Sequence, residues 1–203
     1  MGINTRQVLT ELQSLNTMCS YVGIPPLLSL SEINSSSDHL SAQLVQNEVI
    51  EQVCARGLPC NTDYNYTLSP ETDGTILVPE GAISVLTEGT YMEYIVERDG
   101  KLYDTRNKTF NINKDIDVTV YWLLDFESLP QVVRKYITIN SARRYVARYK
   151  GDDAVLNTTI DDERRAEAEY LRYVEQTSTV NMIYDNPEMS YIADRSVSHY
   201  GRY

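Results

Sequence analysis

The sequence predicts an α+β protein: a four-helix bundle, a small antiparallel β unit inserted between its second and third helices, and an extended C-terminal tail. Three observations predict it. Apolar residues recur at helical spacing before residue 58 and again between 129 and 175. Between 60 and 124 the texture changes to β-branched residues, tyrosines and turn formers. From 176 onward no period is visible. The expected boundaries are therefore 1–58 with 125–175 for the helical domain, 59–124 for the inserted β domain and 176–203 for the tail.

The first helix is expected over 5–22, with the stripe Val8, Leu12, Leu15, Cys19 and Val22. Asn4 or Thr5 can cap it, and Gly23 with Pro25-Pro26 ends it. The second helix, 38–56, follows the capping residues Ser35-Ser36-Ser37-Asp38 and carries Leu40, Leu44, Val45, Val49 and Val53. In the β unit, Thr75–Val78 and Ile83–Thr87 read as short strands. Tyr91–Val96 and Leu102-Tyr103 flank Asp99-Gly100, which supplies the positive φ angles of a hairpin turn. Asp117–Leu124 alternates, with Val118, Val120 and Trp122 on one face.

The third helix, 129–150, opens with Ser128-x-x-Gln131, the form of a capping box. Its stripe is Val132, Tyr136, Ile139, Val146 and Tyr149; Arg134, Ser141, Arg144 and Arg148 lie opposite. From 131 to 151 there are six basic residues and no acid. The fourth helix, 153–175, is the reverse, with acids at 152, 153, 161, 162, 163, 167, 169 and 175 against three Arg. Its thinner apolar set is Leu156, Ile160, Ala166, Tyr170 and Val174. The expected buried set across the bundle is Val8, Leu12, Leu15, Val49, Ile137 and Val146.

Composition narrows the function classes. The chain has 203 residues, 18 basic against 29 acidic, for a net charge of −11. That argues against sequence-independent binding of nucleic-acid phosphates, which needs a net basic face. Tyr supplies 16 aromatics, against two Phe and one Trp. A residue with a large apolar ring and a hydroxyl suits surfaces buried against a partner, and equally suits half-exposed core positions. Cys19, Cys54 and Cys60 are odd in number and widely spaced, so free thiols in a reducing compartment are expected. The first six residues lack the basic-then-apolar pattern of a signal peptide.

No catalytic constellation emerges. His39 and His199 each lack a second ligand three or four residues away, and no CxxC, GxSxG or phosphate-binding glycine loop occurs. Asp152-Asp153 and Asp161-Asp162-Glu163 are consecutive, and neighbours on a helix point about 100° apart, so a solvated acidic face is expected. The basic third helix has two readings: a partner for the acidic fourth helix, which the spacing favours, or a contact with another subunit.

Several motifs in order resemble one family. They are Leu15 to Leu30 with its Gly23 and Pro25-Pro26 turn, Ala55-Arg56-Gly57, Gly100 to Asp104, Asp125 to Pro130, Arg134 to Ile137, Ala142 to Tyr145, and Arg148 to Gly151. Leu156 and the acidic, Ala-containing helix from Asp161 to Glu175 continue the series. The chain resembles the tail tubular protein A, or head-to-tail adaptor, family of short-tailed bacteriophages. It departs from that pattern at Ile24, where the family has an acid, and at Leu58, where it has Trp.

The resemblance implies a structural virion protein, not an enzyme, with no cofactor. Its members form a twelve-fold ring joining the portal to the tail nozzle, with the genome passing through the lumen and tail fibres as a further contact. It places the chain in the virion tail, assembled in the bacterial host cytoplasm. An acidic lumen would avoid holding DNA phosphates. On this reading Arg134, Arg144, Arg148, Tyr184 and Tyr191 are the candidate subunit or partner contacts. Two competing readings are a tail-associated hydrolase using the acidic clusters and a monomeric interaction module.

Overall fold

The computed structural model describes residues 8–87, 89, 94–149 and 153–184, with the side chains of the last helix described from 159 to 178. In chain order the elements are α1 (Glu11–Ser20), a 3₁₀ turn (Leu30–Ser35), α2 (Ser37–Cys54), β1 (Thr62–Leu68) and β2 (Ala82–Thr87). They continue with β3 (Ile95–Arg98), β4 (Lys101–Asp104), β5 (Ile116–Trp122), a 3₁₀ turn (Phe126–Ser128), α3 (Gln131–Tyr149) and α4 (Asp153–Tyr184). The fold is α+β, with the strands inserted between α2 and α3.

Helix α3 is the hub. It packs against α1, α2 and α4, and α1 also packs on α2. Two apolar clusters follow. One joins Leu15, Met18 and Cys19 of α1 to Ala42 and Val45 of α2 and to Ala142, Tyr145 and Val146 of α3. The other joins Val49, Ile50 and Val53 of α2 to Val133, Tyr136 and Ile137 of α3 and to Ala166 and Tyr170 of α4. The Tyr136 and Tyr170 rings stack at 4.5 Å, fixing the α3–α4 register. Between the helices, Ser14 Oγ lies 2.7 Å from Thr138 Oγ1 and accepts from Gln46 Nε2 at 2.7 Å, a polar link through the apolar interior.

The strands build a third cluster of their own: Leu68, Ile76, Val85, Ile95, Leu102, Ile116, Val118 and Val120. β5 is the centre of a three-stranded antiparallel sheet ordered β1-β5-β2. β3 and β4 form the expected hairpin, with positive φ at both Asp99 (54°) and Gly100 (68°). Gly57 ties this unit to the helices. It holds φ +71° just after α2, with the Tyr121 ring of β5 packed where a side chain would stand.

Several expectations are corrected. α1 begins at Glu11 because Thr10 and Gln13 form a reciprocal capping box, so the described Val8 lies outside it and is 47% exposed; residues 5–7 lie outside the described residues. Leu12 is half-buried against the first cluster. On α2 the buried face is Ala42, Val45, Gln46, Val49, Ile50 and Val53, which turns Leu40 and Leu44 outward. Thr75–Val78 makes only isolated bridges, at Thr75 and Leu77, interrupted before Pro79. β1 went unseen because five of its seven residues are exposed and show no alternation.

Ser128 closes a 3₁₀ turn, so it does not cap α3, and the Gln131 Oε1 instead accepts from Leu9 N at 2.9 Å. Ser141 is fully buried, not on an outer face, and Tyr149 is exposed where burial was expected. α4 runs nine residues past 175, to Tyr184. Residues 91–93 of the expected hairpin and 185–203 of the expected tail lie outside the described residues.

Candidate functional site

The basic residues of α3 divide by partner. Arg134 Nε donates to the Leu129 carbonyl at 2.6 Å, Nη1 donates to the Leu9 carbonyl at 3.0 Å, and Nη2 to the Glu127 carbonyl. This planar fork ties the chain before α1 to the entry of α3. Lys135 Nζ meets Glu169 of α4 at 2.8 Å, and Arg143 pairs with Glu163. Arg148 grips both oxygens of Glu48 on α2, at 3.0 and 2.7 Å. The Arg148 guanidinium holds the Glu48 carboxyl below the usual glutamate range, and Lys135 does the same to Glu169. Much of the basic face is thus matched to α4 and α2 within the chain.

Arg144 is different. Among the described residues no carboxylate lies within ion-pair distance of it. It sits one turn before Arg148, so these two candidate residues share a face, whereas Arg134 stands at the opposite end of α3. Tyr184 is the last residue of α4, and Tyr191 lies outside the described residues.

Beside Arg148 a groove of about 350 Å³ opens between α2 and α3. Leu44, Val45 and Ser41 form one wall, Tyr145 and Tyr149 the other, and the Glu48–Arg148 pair crosses one end. Leu44 is 57% exposed and Tyr149 47%. Tyr145 is anchored, its hydroxyl donating to the Asp38 carbonyl at 3.0 Å. Leu40, a turn before Leu44, is exposed as well. Sequence reasoning missed this surface because it merged two stripes of α2 into one. The signal was present: 42, 45, 49 and 53 make one apolar row, and 40 and 44 make a second on another face.

The other chemically suggestive groups are occupied structurally. Asp161 faces Arg164, Asp162 accepts from the Tyr21 hydroxyl, and Glu163 accepts from Asn140 Nδ2 at 2.6 Å and pairs with Arg143. The triplet therefore diverges. His39 Nδ1 lies 2.8 Å from Ser36 Oγ and Nε2 lies 3.0 Å from the Pro25 carbonyl, tying the proline turn to α2. The three cysteines are free, and burial pushes the Cys19 thiol up to about 11. A cleft of about 510 Å³ beside the start of α1 is lined by Glu11, Glu51, Asp125 and Glu127 among others. Among the described residues no group of three or more His, Cys, Asp or Glu side chains is placed to hold a metal ion.

Comparison with known proteins identifies the family. The family described as "Tail tubular protein" matches residues 12–180. The chain belongs to the tail tubular protein family. It is 25% identical over 162 residues to the tail tubular protein A of Klebsiella phage KP34, a match covering 77% of this chain and 82% of that one. This tail tubular protein is a structural component of a phage tail, located in the virion. Among its described residues, no helix is long and apolar enough to cross a membrane.

Proposed function

We propose that this tail protein is the ring-forming adaptor that joins the portal to the tail nozzle, with the genome crossing its lumen. The observation that carries the reading is the family match, which spans the helices and the inserted strands alike. The surface supports it. Leu40, Leu44 and Tyr149 are apolar residues left outside the folded subunit, beside Arg144 and Arg148. Exposed apolar patches with a charged rim are characteristic of protein contacts. On this reading the helices act as one bundle and 59–124 as an inserted unit. The subunits repeat twelve-fold around the channel, and the portal, nozzle and fibres are the neighbours.

The role is structural and non-catalytic. The acidic triplet that a hydrolase would use is distributed among Arg164, Tyr21, Asn140 and Arg143, with no shared point of attack. Arg144 and Arg148 belong to the subunit contact, with Tyr184 and Tyr191 supplied from the C-terminal side. Arg134 contributes by fixing the helix junction beneath it.

Electron microscopy and light scattering of the purified protein, with and without a portal ring, test this. Rings that stack coaxially on the portal are expected. A protein that stays monomeric and does not sediment with the portal would overturn the reading.

A further inference from the structure

We propose that the groove between α2 and α3 receives residues 185–194 of a neighbouring copy of this chain. The inference rests on the ring reading and names the contact within it. It begins from reach. Lys135 faces Glu169, Tyr136 faces Tyr170 and Arg143 faces Glu163, so α3 and α4 run antiparallel. By that register the groove, at Tyr145 and Tyr149, lies beside the beginning of α4. At 1.5 Å per residue, the far end of α4 at Tyr184 is roughly 35–40 Å away along the axis. Tyr191 and Ile192 follow Tyr184 by seven and eight residues, which span at most about 25–28 Å even fully extended. The apolar residues of this segment therefore cannot reach the groove of their own subunit. A neighbour's groove has no such limit.

Chemistry matches the two surfaces. The segment reads Asp185-Asn-Pro-Glu-Met-Ser-Tyr-Ile-Ala-Asp194, with three acids and no base. Met189, Tyr191 and Ile192 are its apolar residues. The groove offers Leu44, Val45 and Tyr149 as an apolar lining. At its rim stand Arg148, paired with Glu48, and beside it Arg144, whose charge also acts on the Glu48 carboxyl, while the Asp38 side chain accepts a hydrogen bond from Tyr149. A Tyr seated in an apolar slot beside arginines is a common energetic centre of protein contacts. The competing seat is the subunit's own α4 flank at Ala168, Leu171 and Val174, about 20 Å from Tyr184 and within reach. That flank carries the one cation Arg172 beside Glu175, where the groove has Arg148 with Arg144 one turn away.

The test uses full-length protein in a Cys60→Ser background, which leaves only the buried Cys19 and Cys54. Chains carrying Leu44→Cys are mixed with chains carrying Tyr191→Cys and oxidised mildly. A covalent dimer from the mixture is expected, and the double variant should give a ladder of linked subunits, not a closed monomer. A Leu171→Cys, Tyr191→Cys chain closing on itself as a monomer would overturn the proposal. So would unsubstituted protein that forms rings while the Leu44→Cys and Tyr191→Cys mixture gives no dimer; that outcome leaves the ring reading standing. Protein that never assembles, with or without portal, would remove both. As an independent check, Arg144→Glu with Arg148→Glu should weaken assembly at least tenfold, and Asp185→Arg with Glu188→Arg in the same chain should restore it.

Discussion

Arg134 closes the junction between the chain before α1 and the start of α3, because its three donors meet three carbonyls that no helix satisfies. Charge-assisted hydrogen bonds of this kind are worth about 1.5–3 kcal/mol each, and their loss leaves carbonyls poorly paired. Arg134→Ala should therefore cost about 2–4 kcal/mol. Arg134→Lys should recover less than half of that, since one ammonium cannot reproduce the fork. Urea midpoints of the three proteins check this. Gly57 acts at a second junction. Its φ of +71° strains any residue with a side chain, and an added Cβ would overlap the Tyr121 ring. Gly57→Ala should destabilise by about 1–3 kcal/mol, measured by thermal melting, with the Tyr121 resonances displaced. Asp104 holds the turn after β4 by accepting from Arg106 N at 2.9 Å, Asn107 N at 2.8 Å and Asn107 Nδ2 at 2.9 Å.

The bonds from Asn107 come first among the causes that keep the Asp104 carboxyl below the usual aspartate range. A depressed carboxylate adds stability in full above its unfolded value near pH 4 and loses it as pH falls through the folded value. Acid titration of stability between pH 5 and pH 2 should thus be shallower in Asp104→Asn than in the unsubstituted chain.

At the scale of elements, each helix follows the apolar row it can bury. α1 places Leu15 at 0% exposure between α2 and α3, so Leu15→Ala should cost about 2–5 kcal/mol through the cavity it leaves. Leu44→Ala, on the outward row of α2, should change monomer stability by less than about 0.5 kcal/mol. Denaturant unfolding of the two variants separates a buried row from an exposed one. This contrast also shows what was legible in advance. The Asp99-Gly100 hairpin, the identity of the four helices and the buried Leu15, Val49, Ile137 and Val146 could be read because turn chemistry and 3.6-residue spacing are local signals. β1 could not, since an edge strand with five exposed residues has no alternation to read. The Thr138–Ser14–Gln46 link was equally silent, because polar residues inside a helix carry no periodic mark until their partners are in place. Of the candidate contacts, the pairing of Arg144 with Arg148 followed from helical spacing. The groove beside them required knowing which row of α2 was already buried, and that is decided by tertiary packing.

For the whole molecule, the proposed ring turns on the balance between charge and apolar contact between copies. Within one subunit, Lys135–Glu169, Arg143–Glu163 and Arg148–Glu48 already use three basic residues of α3. Exposed pairs such as the first and last contribute only about 0.2–1 kcal/mol each, so the charge available to a neighbour is small per contact. It is concentrated at Arg144 and Arg148, and in the ring proposed above it would be multiplied by the number of contacts even where each pair is weak. Salt tests the division directly. Raising ionic strength from 0.1 to 1 M shortens the screening length from about 10 to about 3 Å, which removes attraction between exposed charges while leaving apolar burial intact. Ring formation, followed by sedimentation, should weaken by about 1.4- to 5-fold per ion pair. Arg144→Ala should lose most of that salt dependence while keeping the subunit's own melting temperature, because Arg144 has no ion-pair partner among the described residues to forfeit. Assembly that is unchanged or tighter in 1 M salt would assign the contact to Leu40, Leu44 and Tyr149 alone, and the arginines would then serve only to orient the approaching chain.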